Sequence, residues 1–295
     1  MTALSTPSRS VVEIVRAAQL LEGAGFAVRR PVPSPVRDAV GPFLMLDHFG
    51  PTDYDPGEAV GAPDHPHYGF ETLTYLLEGR GLHRDSLGNV AHTGPGEAQW
   101  MRAGRGIVHD EGPDEAILRD GGRMNGFQFW IALPPAHRRD APDYRTIAAG
   151  DIPKLALGAA TLHLLAGAAD GATGPVSGPA RPWLAHLALP AGARALVPVP
   201  ADAELAAYVA AGAPVAAGRP LAEGEMALLA SGGDAVAIAA DNVAADVILF
   251  GGAALEAPVL RYGPFVAGSR EELVQAFRDY QEGRMGRIDF GLPVP

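Results

Sequence analysis

Between Pro42 and Pro134 the apolar residues recur at every second position. Phe127, Phe129, Ile131 and Leu133 alternate with Gln128, Trp130 and Ala132, the period of a β-strand with its two faces in different surroundings. Phe70 to Leu77 and Gln99 to Arg102 read as further strands. Turn residues separate these runs: Glu78-Gly79-Arg80-Gly81, Leu87-Gly88-Asn89 and Gly94-Pro95-Gly96-Glu97. Strands this short and this evenly spaced predict a closed or sandwiched antiparallel fold.

Residues 135 to about 180 break the pattern. Pro134-Pro135, a charged stretch and the Gly/Ala-rich run Ala166 to Gly178 read as a connector, with an edge strand around Leu155 to Leu165. A second β run then extends from Pro182 to Gly252, including Trp183 to Leu189, Glu204 to Val209, Met226 to Leu229 and Asp246 to Phe250. Its turns (Pro190-Ala191-Gly192, Ala222-Glu223-Gly224, Ser231-Gly232-Gly233-Asp234) resemble those of the first run. The two halves, 1–140 and 141–295, therefore read as diverged copies of one antiparallel β-barrel. The tail differs. Ser269 and Glu272 form a capping box, Leu273, Ala276, Phe277 and Tyr280 share one helical face, and Gly283 can end the turn. The expected fold class is all-β, two barrels closed by one short C-terminal α-helix.

Composition narrows the chemistry. The 295 residues contain no cysteine, which excludes a thiolate nucleophile, a zinc ribbon or an iron–sulfur cluster built from this chain. Lys154 is the sole lysine and sits in the connector, a poor place for a Schiff base. The net charge of −11 argues against direct nucleic-acid binding, which needs a basic face. No run of 18 apolar residues is uninterrupted, and Glu13 and Arg16 break up Val11 to Leu21, so neither a membrane span nor a signal peptide is expected. A cytoplasmic monomer is the expectation.

Six of the nine histidines lie between residues 48 and 109. Four residues there form two couples: His65 with His67, and His109 with Glu111. Residues two apart on a strand point to one face, so each couple can present two side chains to one point. Three imidazoles and a carboxylate suit a divalent transition metal. Glu71, six residues after His65, also falls at an even separation, so spacing leaves Glu71 and Glu111 both open as the carboxylate. His83, Asp85, Ser86 and His92 lie between the couples. Their order invites a triad reading, but triad members are brought together by the fold rather than by adjacency. His48, His163 and His186 stand alone and read as structural.

His65-Pro66-His67-Tyr68-Gly69-Phe70-Glu71, with Gly79 beyond it, resembles the first motif of the cupins, and Gly106-Ile107-Val108-His109 resembles part of the second. Gly104 and Pro113 replace that motif's usual proline and asparagine. Those departures lead to one branch. Pro42-Phe43-Leu44-Met45-Leu46-Asp47-His48-Phe49-Gly50, the His65 segment, Gln99-Trp100-Met101-Arg102-Ala103-Gly104-Arg105-Gly106-Ile107-Val108-His109 and Tyr262-Gly263-Pro264-Phe265-Val266 closely resemble the pirin family, in its bacterial form. The resemblance implies a bicupin in which only the N-terminal barrel holds a metal, usually iron. It implies the ligands His65, His67, His109 and Glu111, which leaves Glu71 as a strand residue. It also implies Fe(II), with copper, nickel, zinc or manganese as alternatives.

Cupins of this kind open flavonols such as quercetin with dioxygen, so a small aromatic substrate is expected, with Glu111 as general base. Phe70, Met101, Phe127 and Phe129 are the expected walls of its cavity. The alternative is a non-enzymatic, iron-dependent regulator acting through a protein partner.

Overall fold

The computed structural model describes residues 8–289, and the chain divides into two compact units built almost wholly of antiparallel strands. The all-β bicupin expectation holds. Among the described residues there are two α-helices, Glu115–Asp120 and Arg270–Gln281, and neither is long and apolar enough to cross a membrane.

One unit comprises residues 8–18, 29–46 and 150–254. Its main sheet orders Val11–Arg16, Glu225–Leu229, Glu204–Ala211, Ala245–Gly252, Trp183–Leu189, Ala160–Ala166 and Lys154–Leu157 side by side. The expected edge strand around Leu155 to Leu165 is thus a two-stranded hairpin. Leu162, Leu187, Leu205, Val236, Val247 and Leu249 pack together in its interior. His163 and His186 are register partners on the opposite face, their rings stacked with centroids 5.2 Å apart. His186 Nε2 lies 2.9 Å from the Asp246 carboxylate, so this pair is a surface of the sheet and not a lumen site. The N-terminal strand is tied in by Arg9, whose buried guanidinium donates to the carbonyls of Ala203, Ala230 and Gly233.

The other unit comprises residues 19–28, 47–149 and 255–289. The contiguous split near residue 140 therefore does not describe the termini. The first strand completes the sheet of the C-terminal barrel, and the C-terminal helix belongs to the histidine-rich barrel. Ser269 caps that helix as its spacing predicts, its hydroxyl accepting from Glu272 N at 3.1 Å. Ala276 and Leu273 pack with Phe265, Tyr68, Val108 and Met285. Tyr68 and Val108 are the chain neighbours of His67 and His109, so the tail braces the backbone beside both couples. Gly69 shows how tight this is: its φ is +84°, and a Cβ there would lie 1.9 Å from the Val266 carbonyl oxygen.

The helix Glu115–Asp120 was not expected. Asp114 caps it, accepting from Ala116 N and Ile117 N, but six residues carry too little periodicity to stand out.

Candidate metal centre

A four-stranded sheet carries the site, in the order Ala62–His67, Ile107–Pro113, Gly81–Asp85, Val90–Thr93. Alternation places Ile107, His109 and Glu111 on one face of the second strand. Cross-strand register adds the rest, because directly opposed residues share a face. His109 lies opposite His65 on one side and Asp85 on the other, Ile107 lies opposite His67, and Glu111 lies opposite His83. Both couples thus reach one side of one sheet.

The ligand atoms of His65, His67 and His109 lie within 4.8 Å of one another. His65 Nδ1 is 2.8 Å from the Pro63 carbonyl and must carry the proton there, which turns the Nε2 lone pair toward His67 Nε2 at 3.1 Å. Two neighbouring ligands about 2.1 Å from a shared ion would stand roughly 3.0–3.4 Å apart. His109 Nε2 is fully buried and has no hydrogen-bond partner. A buried orphan of this kind needs a reason, and a cation at the convergence of three imidazoles supplies one. Burial first, and the neighbouring imidazoles second, hold His67 and His109 well below the ordinary histidine range. Both are therefore neutral at physiological pH, the form that binds metals. The donor set fits a transition-metal ion.

Glu111 stands in a second cluster with His109 and His83. Three neutral groups hold its carboxylate: Gln128 donates to Oε1, while Gln99 at 3.2 Å and Thr74 at 3.4 Å donate to Oε2. Gln99 is itself oriented by Tyr144, whose hydroxyl donates to Gln99 Oε1 at 2.9 Å. Burial, with the Glu111 and Asp85 charges adding to it, raises the Tyr144 phenol far above its usual range, so it stays protonated. His67 and His109 are buried, whereas His65, Glu111, Gln128 and Trp130 are partly open to solvent.

The chain matches the Pirin family over residues 25–131 and the Pirin C-terminal cupin domain over residues 184–286. A Pirin-like protein of Caulobacter vibrioides is 41% identical over 283 residues, covering 94% of this chain and 99% of its own. The chain belongs to the pirin family. Among solved structures, a quercetin 2,3-dioxygenase from Acinetobacter baumannii superposes with a TM-score of 0.89 at 28% identity, over 96% of this chain and 100% of the other. The bacterial pirin YhhW from Escherichia coli, solved in complex with nickel(II), has a TM-score of 0.62 at 22% identity, over 82% of this chain and 99% of the other.

Within this pirin fold several expected roles change. Glu71 does not share the face of His65, because the strand is not continuous: it ends at His67, turns at Gly69 and restarts at Phe70 in the other sheet. There Thr72 and Thr74 point with Gln99, Met101, Gln128 and Trp130 toward the site, and Glu71 points away with Leu73 and Tyr75. Phe127 and Phe129 are opposite Tyr75 and Leu73 on that same far face. They are therefore not cavity walls. Met101 and Phe70 are on the near face, and Trp130 takes the place expected of the phenylalanines, 4.3 Å from the Phe70 ring and 5.3 Å from His67. Sequence alternation separates the two faces correctly, but the polar one, not the one carrying Phe127 and Phe129, looks at the histidine cluster. His83 does reach the site, 3.4 Å from His109, whereas His92 pairs with Glu115 at the surface. His48 packs on Phe127 and bonds Asn125 on the far face.

Glu71 also yields a stability test. Its carboxyl is fully buried, and that burial raises its pKa to about 7, with the Trp100 indole and the Arg102 charge opposing without cancelling. The folded state thus holds this proton more tightly than the unfolded chain does. Stability should fall as pH rises from the unfolded value of 4.5 through about 7, then level off. Glu71→Gln should remove that decline and gain up to about 3 kcal/mol at pH 8 with little change at pH 4. Urea unfolding at the two pH values measures it, and a parallel pH dependence in both proteins would refute it.

Proposed function

We propose that this pirin is a mononuclear-metal dioxygenase that opens flavonols such as quercetin with dioxygen, its Fe(II) held by His65, His67, His109 and Glu111. The observation that carries this reading is the Glu111 carboxylate, held by Gln128, Gln99 and Thr74 beside His109 at a partly open face. A purely structural ion would be closed in by its ligands. The likeness to a quercetin 2,3-dioxygenase across 96% of the chain supports the substrate class.

When bound, the metal supplies a Lewis acid for the 3-hydroxy-4-keto edge of the flavonol and a site for dioxygen. Copper, nickel, zinc and manganese suit the same donors. The protein does the rest. A Glu111 oxygen accepts the 3-hydroxyl proton, and its three donors keep it aimed before and after that transfer. Phe70 and Trp130 offer an apolar, aromatic wall to a flat ring system. The buried imidazoles His67 and His109 remain neutral and fixed.

Iron-loaded protein in aerated buffer should consume quercetin with matching oxygen uptake, followed by loss of the flavonol absorption band. Full iron occupancy with no turnover of several flavonols would overturn the enzymatic reading.

A further inference from the structure

His83 and Asp85 form a buried pair that the proposed chemistry does not use. Both are about 1% exposed. His83 Nδ1 lies 3.4 Å from His109 Nδ1, and His83 Nε2 lies 3.1 Å from Asp85 Oδ2. The His83 ring is clamped in place, stacked on Tyr144 with centroids 4.1 Å apart and planes 10° from parallel. Asp85 is clamped as well: its Oδ1 accepts from the backbone N–H groups of Leu87 and Asn89, and its Oδ2 accepts from Asn89 Nδ2.

We infer that Asp85 and His83 are positioning residues that set the tautomer and ring orientation of His109 for metal binding. This rests on the metal centre proposed above. The protons can be followed from one end. The Asp85 carboxylate only accepts, so His83 carries its proton on Nε2 and donates it to Asp85. His83 Nδ1 is then an acceptor and takes the Nδ1 proton of His109. His109 is left with its lone pair on Nε2, the orphaned atom facing His65 and His67. A partner of this kind on the remote nitrogen of a ligand histidine fixes its tautomer and raises its basicity.

The test is Zn(II) affinity of the full chain, by competition with a chromophoric chelator, together with nitrogen-detected NMR of the zinc-loaded protein. Zinc binding needs no turnover, so it reports on this pair even if the dioxygenase reading fails. His83→Phe keeps a flat ring against Tyr144 but removes the acceptor; it should weaken zinc about 10–100-fold and expose the His109 Nδ1 proton to exchange. His83→Gln restores a carbonyl acceptor and should recover most of the affinity. Asp85→Asn provides an arm that keeps the two backbone bonds of the turn, because Oδ1 still accepts from Leu87 and Asn89, and loses only the bond from Asn89 Nδ2. Its amide would donate to His83 Nε2, force the proton onto His83 Nδ1 and oppose the His109 proton, with a loss like that of His83→Phe. Unchanged zinc affinity in His83→Phe, or equal losses in the Phe and Gln variants, would overturn the inference. So would two zinc equivalents per chain with one lost in His83→Phe, since His83 would then be a ligand. A chain that binds no zinc at all would remove both the metal centre and this role.

Discussion

His109→Ala should leave a folded protein that no longer holds its metal. His109 is the only one of the three clustered imidazoles whose Nε2 is buried with no hydrogen-bond partner. It also joins the three-histidine cluster to the cluster that contains Glu111. Binding free energies of about 10–16 kcal/mol for four protein ligands amount to about 3 kcal/mol each, so affinity should fall roughly 10²–10³-fold. Flavonol turnover should fall with occupancy. The barrel should survive, because its strands are paired on both sides of residue 109 and the tail still packs on Val108. Metal content after dialysis, read beside far-ultraviolet circular dichroism, gives the answer. Full occupancy in a folded His109→Ala protein would place the metal elsewhere.

The two histidine couples were legible because their signal is local. A period of two survives into the folded sheet, and the register places His65 directly across from His109. Glu71 shows where the same rule fails: the even spacing from His65 counted through Gly69, whose positive φ ends one strand before the next begins. The two faces of Gly122–Ala132 were visible as an alternation, but which face meets the site was not. On the near face the half-buried carboxylate of Glu111 gives Gln128 and Thr74 a hydrogen-bond acceptor, while Phe127 and Phe129 lie on the far face opposite Tyr75 and Leu73. The exchange of terminal segments lay beyond local reading. Pairing of Val11–Arg16 with Glu225–Leu229 spans more than 200 residues, and neither strand alone announces its partner. The pair His83 and Asp85 looked like part of a triad in the chain and lies, in space, in a buried line with His109.

Glu111→Gln separates holding the metal from moving the proton. All three groups around the carboxylate donate to it: Gln128 to one oxygen, Gln99 and Thr74 to the other. An amide keeps only one acceptor oxygen, and its NH₂ must face a donor, so one partner is left unpaired at a cost of about 1–3 kcal/mol. The melting temperature should therefore fall by several degrees, and the three imidazoles should still take up the ion when metal is supplied in excess, though up to about 10²–10³-fold more weakly. The larger effect should be on rate. An amide cannot accept the flavonol proton, and loss of a placed general base lowers kcat by about 10²–10⁴-fold. That drop should appear at full metal occupancy, unlike the loss in His109→Ala, where rate follows metal. Steady-state kinetics on metal-saturated protein distinguish the two. A Glu111→Gln protein with full metal and undiminished kcat would show that the proton leaves by another route, and would reduce Glu111 to a support for the donors that surround it.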